Sequence, residues 1–221
     1  MRITQFKRAS FPANLFVSAK CTTALPIVNL VTRDCLIQAS LDPSVSKIDF
    51  VAYANVGDEN VRLDTIVIHR DGGRYALDIE ETAPLRDIDE EGLVLVAYDL
   101  LDLDVLRLKA AQVRAEPRLS NARTVWRHHG RIVGYDDRAA ICGVLEEHGA
   151  LPMRKLEAAV QTSRPLAGSV YALACEGVLD LDIFDEPLSG HTVIRMGLKS
   201  PRNMPAPMNA PQLRRLIKGM A

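Results

Sequence analysis

Residues 62–81 predict a β-hairpin, and this hairpin constrains the fold more than any other part of the chain. Two apolar runs rich in β-branched residues, 63–68 and 75–79, flank the sequence Asp71-Gly72-Gly73. Glycine readily adopts the positive φ angles that a tight turn between antiparallel strands needs. The pattern therefore predicts two antiparallel strands joined at this turn.

The two strands carry three acidic residues that the hairpin is expected to bring to one face. Pairing about the turn places Asp64 roughly opposite Asp78. Because side chains alternate faces along a strand, Asp78 and Glu80 point the same way. Close carboxylates repel unless a cation neutralises them, and a hard divalent cation prefers oxygen ligands. Two interpretations follow: a metal site, or a solvated strand face with ordinary surface acids.

Charge is unevenly distributed along the chain, although the formal net charge is only −1. Acids dominate residues 78–104, whereas residues 187–221 contain no acid and several bases. The net charge by itself predicts no polyanionic partner. An acidic middle and a basic tail are compatible with a metal site combined with a nucleic-acid or protein contact.

The cysteines and the apolar runs indicate where the protein works. The chain has four cysteines without paired spacing, which predicts buried free thiols in a reducing cytosol: Cys21, Cys35, Cys142 and Cys175. The N-terminus lacks a sustained apolar core, and no apolar run reaches membrane-spanning length. We therefore predict a cytoplasmic protein without a membrane partner.

Residues 29–133 predict an α/β domain in which helices flank a mixed sheet. The predicted helices are 29–39, 84–101, 110–115 and 117–129, and the predicted strands are 45–54, 63–68, 75–79 and 104–109. The first helix is expected to end before Pro43, because a residue that precedes proline avoids the α region. Pro117 is expected to begin the last helix.

A change of pattern predicts a second, smaller domain at 134–198. Its predicted helices are 137–148, 152–161 and 165–176, and its predicted strands are 178–183 and 192–196. Three helices followed by a hairpin are typical of a winged-helix-like domain. The flanking segments are predicted to be a basic N-terminal arm, 1–28, and a basic, proline-rich tail, 199–221.

Four short sequence motifs of the first domain occur in a characteristic order. They are Leu41-Asp42-Pro43-Ser44-Val45, Arg62-Leu63-Asp64, Asp78-Ile79-Glu80 and Glu116-Pro117-Arg118-Leu119-Ser120-Asn121. The chain resembles the TnsA-like transposon endonucleases, a branch of the PD-(D/E)xK nucleases, in these motifs and in their order. The resemblance covers about residues 29–129. It implies a restriction-endonuclease-like mixed sheet, and the family also carries a C-terminal winged-helix-like domain.

The resemblance implies a site for metal-dependent cleavage of DNA. It implies Asp64 and Asp78 as metal ligands, and Asp64, Asp78 and Glu80 as the catalytic set, with Mg²⁺ required only if the site is active. The chain departs from the family's pattern at three positions. Thr32 replaces a glutamate of the first helix, Leu63 replaces a proline, and Glu80 replaces a lysine. These departures predict weak or lost endonuclease activity.

The resemblance also implies partners. It implies a component of a DNA transposition or mobile-element system that binds DNA and a transposase or ATPase subunit of the same element. Sequence-independent DNA contacts are expected at Arg154, Lys155 and Arg195. In the tail, helical spacing and surrounding bases predict a partner-binding face formed by Leu213, Leu216 and Ile217.

Two alternative functions are compatible with the sequence. The first is an active Mg²⁺-dependent DNA endonuclease that uses the pattern Asp64, Asp78 and Glu80. The second is a transcriptional regulator that reads DNA with its winged-helix domain. The predicted third helix of that domain, 165–176, contains no lysine or arginine, so a protein-binding role is equally compatible with it.

Overall fold

The structure is a computed structural model of the chain, and it describes residues 15–27, 29–80, 86–160 and 165–197. The predicted tail, 199–221, lies outside the described residues, and so do the predicted partner-binding residues Leu213, Leu216 and Ile217. No helix of the described ranges is both long enough and apolar enough to cross a membrane.

The chain forms two compact units. Unit 1 comprises Met1–Arg127 together with Ile183–Leu188. Unit 2 comprises His128–Asp182 together with Ser189–Ala221. The observed division therefore lies six residues before the predicted boundary between 133 and 134, and unit 1 also takes a later segment that the sequence assigns to the second domain.

A four-stranded mixed sheet forms the centre of unit 1. The elements of this unit are β1 (Leu15–Phe16), β2 (Leu25–Pro26), α1 (Leu30–Leu41), β3 (Val45–Val56), β4 (Glu59–Arg70), β5 (Gly73–Ile79), α2 (Ile88–Leu100), β6 (Asp104–Leu108), α3 (Ala110–Val113) and α4 (Arg118–Trp126). The order of the large sheet is β3-β4-β5-β6, with β6 parallel to β5 and the other pairs antiparallel. This confirms the predicted mixed α/β class.

The β4–β5 hairpin forms where the sequence predicts it. Asp71 and Gly72 have φ angles of 50° and 81°, which are the positive values of a two-residue hairpin turn. Arg70 pairs with Gly73 directly beside the turn, so Gly73 begins β5 instead of belonging to the turn.

Helices α1 and α2 pack on opposite faces of this sheet. Val31 and Cys35 of α1 form a buried cluster with Ile79 of β5. The side chain of Ala76 points to the opposite face of β5. It belongs to a second buried cluster, and Tyr98 of α2 packs against that cluster. The sheet is therefore a middle layer between helices.

The caps explain where the two helices begin. Asn29 Oδ1 accepts a hydrogen bond of 2.9 Å from the backbone of Thr32 at the start of α1. Helix α2 begins at Ile88, four residues after the predicted start, because Asp87 and Glu90 form a capping box.

Residues 15–27 pack against the rest of unit 1, whereas the sequence predicts an extended arm over 1–28. Phe16 of β1 is buried and stacks on Trp126, with ring centroids 5.1 Å apart and 13° between the ring planes. Leu25 of β2 is fully buried, and Cys21 bridges to Ile48 of β3. Burial of these apolar groups offsets the entropy of ordering the segment.

The four cysteines are free thiols. Cys35 and Cys175 are buried, whereas Cys21 and Cys142 are partly exposed. Burial raises the pKa of the Cys35 thiol to about 11 and that of Cys175 to about 12. Two of the four thus match the buried, unreactive thiols that the sequence predicts.

Unit 2 contains three helices and a small antiparallel sheet. Its elements are α5 (Tyr135–His148), β7 (Leu151–Pro152), α6 (Met153–Ala159), α7 (Ala167–Cys175), β8 (Leu179–Leu181) and β9 (Val193–Met196). Strand β9 lies between β7 and β8. The sequence predicts the helices and two of the strands, but it misses β7, which has only two residues and one of them is proline.

Asn121 of α4 attaches the segment Ile183–Leu188 to unit 1. Its Nδ2 donates hydrogen bonds to the carbonyls of Ile183 at 2.9 Å and Glu186 at 2.7 Å. Its Oδ1 accepts a hydrogen bond of 3.1 Å from the backbone of Leu188. Arg118, one turn earlier, lies over the Phe184 ring at 4.9 Å. The Glu116–Asn121 motif therefore has a structural role in this chain.

We predict that Asn121→Ala destabilises unit 1 by about 3 kcal/mol, because it leaves two carbonyls and one N–H, one of them buried and two part-buried, without their partner. The measurement is urea unfolding followed by the fluorescence of Trp126, the single tryptophan, which belongs to unit 1. Asn60→Ala, at an exposed position of β4, is the matched control and should change the free energy of unfolding by less than about 0.5 kcal/mol. Equal effects of the two substitutions would contradict the anchoring role of Asn121.

Candidate functional site

A β-bulge in β4 positions Asp64. Val51 pairs with Thr65 and Tyr53 pairs with Arg62, so β4 has one residue more than β3 between these pairs. Asp64 lies in this bulge with a φ angle of 44°. A bulge redirects side chains away from regular alternation, and it often does so beside functional sites.

The register beside the turn determines how Asp64 and Asp78 lie relative to each other along the hairpin. The observed pairs of β4 and β5 run from Arg70–Gly73 to Val67–Ala76. Continuing this register would set Thr65, and not Asp64, opposite Asp78. The sequence places Asp64 roughly opposite Asp78, and the register that the Arg70–Gly73 pair sets beside the turn offsets the two residues by one position.

Asp64 and Asp78 nevertheless line the same cavity. This cavity, which we call the central cavity, has a volume of about 140 Å³ and is lined by residues of α1, α2, β4, β5 and β6. Its polar lining includes Thr32, Asp64, Thr65, Asp78, Arg86, Glu91 and Arg107. Side chains from distant parts of the sequence thus meet at one place on the sheet.

Each of the two aspartates has an arginine partner. Arg62 Nε lies 2.5 Å from Asp64 Oδ2, and hydrogen bonding to this carboxylate raises the pKa of the Arg62 guanidinium. Arg107 is the direct neighbour of Asp78 on the parallel strand β6, and its Nε lies 3.5 Å from Asp78 Oδ2. Both carboxylates are therefore in ion pairs with guanidinium groups that are largely exposed to solvent.

Arg86 is a fixed part of the wall. Its side chain is 17% exposed, and Nη2 donates a hydrogen bond of 3.0 Å to the Leu63 carbonyl beside the bulge. Its Nη1 lies 4.0 Å from Glu91 Oε2 of α2. Arg86 thus links α2 to the backbone that carries Asp64.

Glu80, the third predicted acid, does not line the central cavity. It follows the end of β5, is exposed, and donates its backbone N–H to the Leu108 carbonyl at 3.1 Å. Alternation along the strand does not apply beyond the strand's last residue. For this reason the predicted set of three carboxylates is reduced to two at the cavity.

The two aspartates of the cavity supply carboxylate oxygens of the kind that a divalent cation binds, and each of them contacts an arginine. Within the described ranges, no group of three histidine, cysteine, aspartate or glutamate side chains is arranged to hold a metal ion. Asp64 and Asp78 are engaged by arginines, and the hydroxyl of Thr32 lies 3.1 Å from Asn29 Oδ1 at the helix cap. A divalent cation at this site would have to compete with Arg62 and Arg107 for the two carboxylates.

Arg107 and Arg86 also line the central cavity, and the sequence analysis does not predict either of them as a site residue. Arg107 comes beside Asp78 only through the parallel pairing of β5 with β6, which the spacing of residues does not reveal. Arg86 is the single base among the acids of residues 78–104, and this position in the sequence could have indicated that it has a specific role.

The predicted DNA-binding residues lie in unit 2. Arg154 and Lys155 are exposed on α6, and Arg195 is exposed on β9. In contrast, α7 is mostly buried, including Val170 and Leu173. Its buried residues belong to the core of unit 2, so few of its positions are free to read a base pair.

Comparison of the chain with family models, curated proteins and solved structures finds no match.

We predict that Asp64 tolerates glycine but not valine. Asp64→Gly should change the free energy of unfolding by less than about 0.5 kcal/mol, because glycine adopts a positive φ without strain and an exposed ion pair contributes little. Asp64→Val should cost about 2 kcal/mol, because a β-branched residue fits the left-handed region poorly. Urea unfolding followed by Trp126 fluorescence measures both.

Asp78, in regular strand conformation, is the matched control. At Asp78 the ranking of the two substitutions should be reversed. Asp78→Gly should lower the free energy of unfolding by about 1 kcal/mol, whereas Asp78→Val should leave it unchanged or raise it. The same order of glycine and valine at both positions would contradict the bulge at Asp64.

Proposed function

We propose that the chain is a TnsA-like component of a DNA transposition or related mobile-element system, with weak or lost endonuclease activity. The observation that carries this proposal is that Thr32, Asp64 and Asp78 line one cavity. The resemblance assigns active-site positions to these three residues, although α1, β4 and β5 supply them separately. Three separate positions that meet in this way support the correspondence with the family.

The order of elements in unit 1 supports a restriction-endonuclease-like domain. A helix, an antiparallel meander of three strands, a second helix and a parallel strand follow one another in the chain. In unit 2, a helix, a short strand, two helices and a two-stranded hairpin follow one another in the chain. The three strands form one sheet. This order supports a winged-helix-like domain.

The charges of the central cavity support weak or lost cleavage. Hydrolysis of a phosphodiester needs a bound cation that activates water and neutralises the developing charge. Here Arg62 and Arg107 neutralise the two carboxylates, and Thr32 supplies no charge. The site is therefore better suited to a structural or DNA-contacting role than to rapid hydrolysis.

DNA contact and protein partners complete the proposal. Arg154, Lys155 and Arg195 are exposed and can reach phosphates without a large desolvation cost. The proposed protein partner is a transposase or ATPase subunit of the same element. We assign the protein to the cytoplasm.

One alternative has an observation in its favour. An active Mg²⁺-dependent endonuclease is supported by the location of Asp64 and Asp78 in one cavity, since both arginine partners are more than half exposed and can swing away. Glu80 would have to enter the cavity for the full predicted set to act.

We predict weak or absent cleavage of plasmid DNA in Mg²⁺ or Mn²⁺, because both carboxylates have arginine partners and Thr32 replaces a glutamate. Gel analysis of supercoiled plasmid measures nicking. Robust nicking that Asp64→Ala abolishes would overturn the proposal and establish the active endonuclease.

The double variant Thr32→Glu with Glu80→Lys tests the correspondence with the family. It should raise Mn²⁺ affinity, measured by calorimetry, because it adds a third carboxylate to the cavity. Thr124→Glu with Glu80→Lys is the matched control, since Thr124 is not part of the cavity lining. An equal response of the two double variants would refute the assignment of Thr32.

We predict that replacing Arg154, Lys155 and Arg195 together by glutamine weakens DNA binding and lowers the salt dependence. The slope of log K against log salt should fall by about 3 for a duplex of roughly 30 base pairs, because each lost phosphate contact removes about 0.9. Fluorescence anisotropy at several salt concentrations gives the slope. Arg127→Gln, an exposed base of unit 1, should leave it unchanged, and an unaltered slope in the triple variant would place the DNA contacts elsewhere.

A further inference from the structure

Helix α2 has a second apolar face that is exposed. Four large apolar side chains are 48–89% exposed on this helix: Ile88, Leu95, Val96 and Leu100. The opposite side of α2 carries Val94 and Ala97, which pack on Val61 and Leu63 of the sheet. The helix is therefore apolar on two sides, of which the described residues cover one.

Acids surround the exposed face. Residues 87–106 contain seven acids and no lysine or arginine. Asp89 and Asp99 are exposed on the same helix. A segment that covers this face with apolar side chains gains further stabilisation if it also carries positive charge, because Asp89 and Asp99 stand on the same helix.

The C-terminal tail of the same chain has this composition. Residues 199–221 contain five bases and no acid. Leu213, Leu216 and Ile217 follow helical spacing, with Arg214, Arg215 and Lys218 around them. A helix over 212–218 would be about 10 Å long, and the exposed face from Ile88 to Leu100 is about 18 Å long, so the segment fits within it.

A long spacer precedes the apolar residues of the tail. Fourteen residues, 198–211, separate Gly197 from Gln212. In an extended conformation they span up to about 45 Å, which exceeds the diameter of a small domain. Four of these residues are prolines, which favour extended backbone.

We propose that residues 212–218 bind as a short basic helix along the exposed apolar face of α2 in the same chain. Leu213, Leu216 and Ile217 cover this face, and Arg214, Arg215 and Lys218 pair with its acids. Leu95 and Glu91 of α2 also line the central cavity, so the bound segment lies at the wall of that cavity. This interaction is independent of the proposed function in transposition.

Photo-crosslinking in the full chain tests the contact. A benzophenone amino acid in place of Gln212 keeps the three apolar residues of the tail intact. Irradiation of dilute protein should give a crosslink to residues 87–100 within a single chain, identified by mass spectrometry of the monomer band. A crosslink to another part of the chain, a covalent dimer, or no crosslink would overturn the proposal.

A charge exchange tests the specificity of the contact. Asp89→Lys with Asp99→Lys should lower the crosslink yield about fivefold, as expected for the loss of two ion pairs at the protein surface. Adding Arg214→Glu with Arg215→Glu should restore the yield. Glu147→Lys with Glu157→Lys, at exposed positions of α5 and α6, makes the same charge change away from α2 and should leave the yield unchanged. Loss without restoration, or an equal loss in the control, would overturn the proposal.

Discussion

The pairing of β4 with β5 is the interaction on which unit 1 depends. Strand β3 pairs with one side of this hairpin and β6 with the other. Alternate residues of β5 supply both helical layers, because Ile79 packs toward α1 and Ala76 toward α2. The hairpin thus fixes the order of the sheet, the two faces of the core and the place where the central cavity opens.

Features that depend on neighbouring residues could be predicted from the sequence, and features that depend on distant pairing could not. The turn at Asp71 and Gly72 follows from the local preference of these residues, and the mixed sheet follows from the alternation of apolar runs. The bulge at Asp64 arises from the mismatch between β3 and β4. Since nothing in β4 alone signals this mismatch, the positive φ of Asp64 could not be predicted from its own strand.

The same distinction holds for the candidate site. Asp64 and Asp78 could be chosen because both belong to one hairpin, and they do line one cavity. Arg107 could not be chosen, because the crossover through α2 brings it beside Asp78. The acids and Arg62 are visible in one stretch of the sequence, whereas Arg107 joins them only through the pairing of β5 with β6. The charge balance of the cavity therefore depends on the pairing between strands and not on the spacing of the acids alone.

The attachment of Ile183–Leu188 to Asn121 has a consequence for dissecting the protein. Unit 2 is discontinuous in sequence, because the loop between β8 and β9 belongs to unit 1. A fragment that starts at residue 128 would carry this loop without its anchor, and a fragment that stops at residue 127 would expose Asn121 and Arg118. Neither half of the gene encodes a complete unit. Exchange of modules between related chains would therefore have to keep the loop and its anchor together.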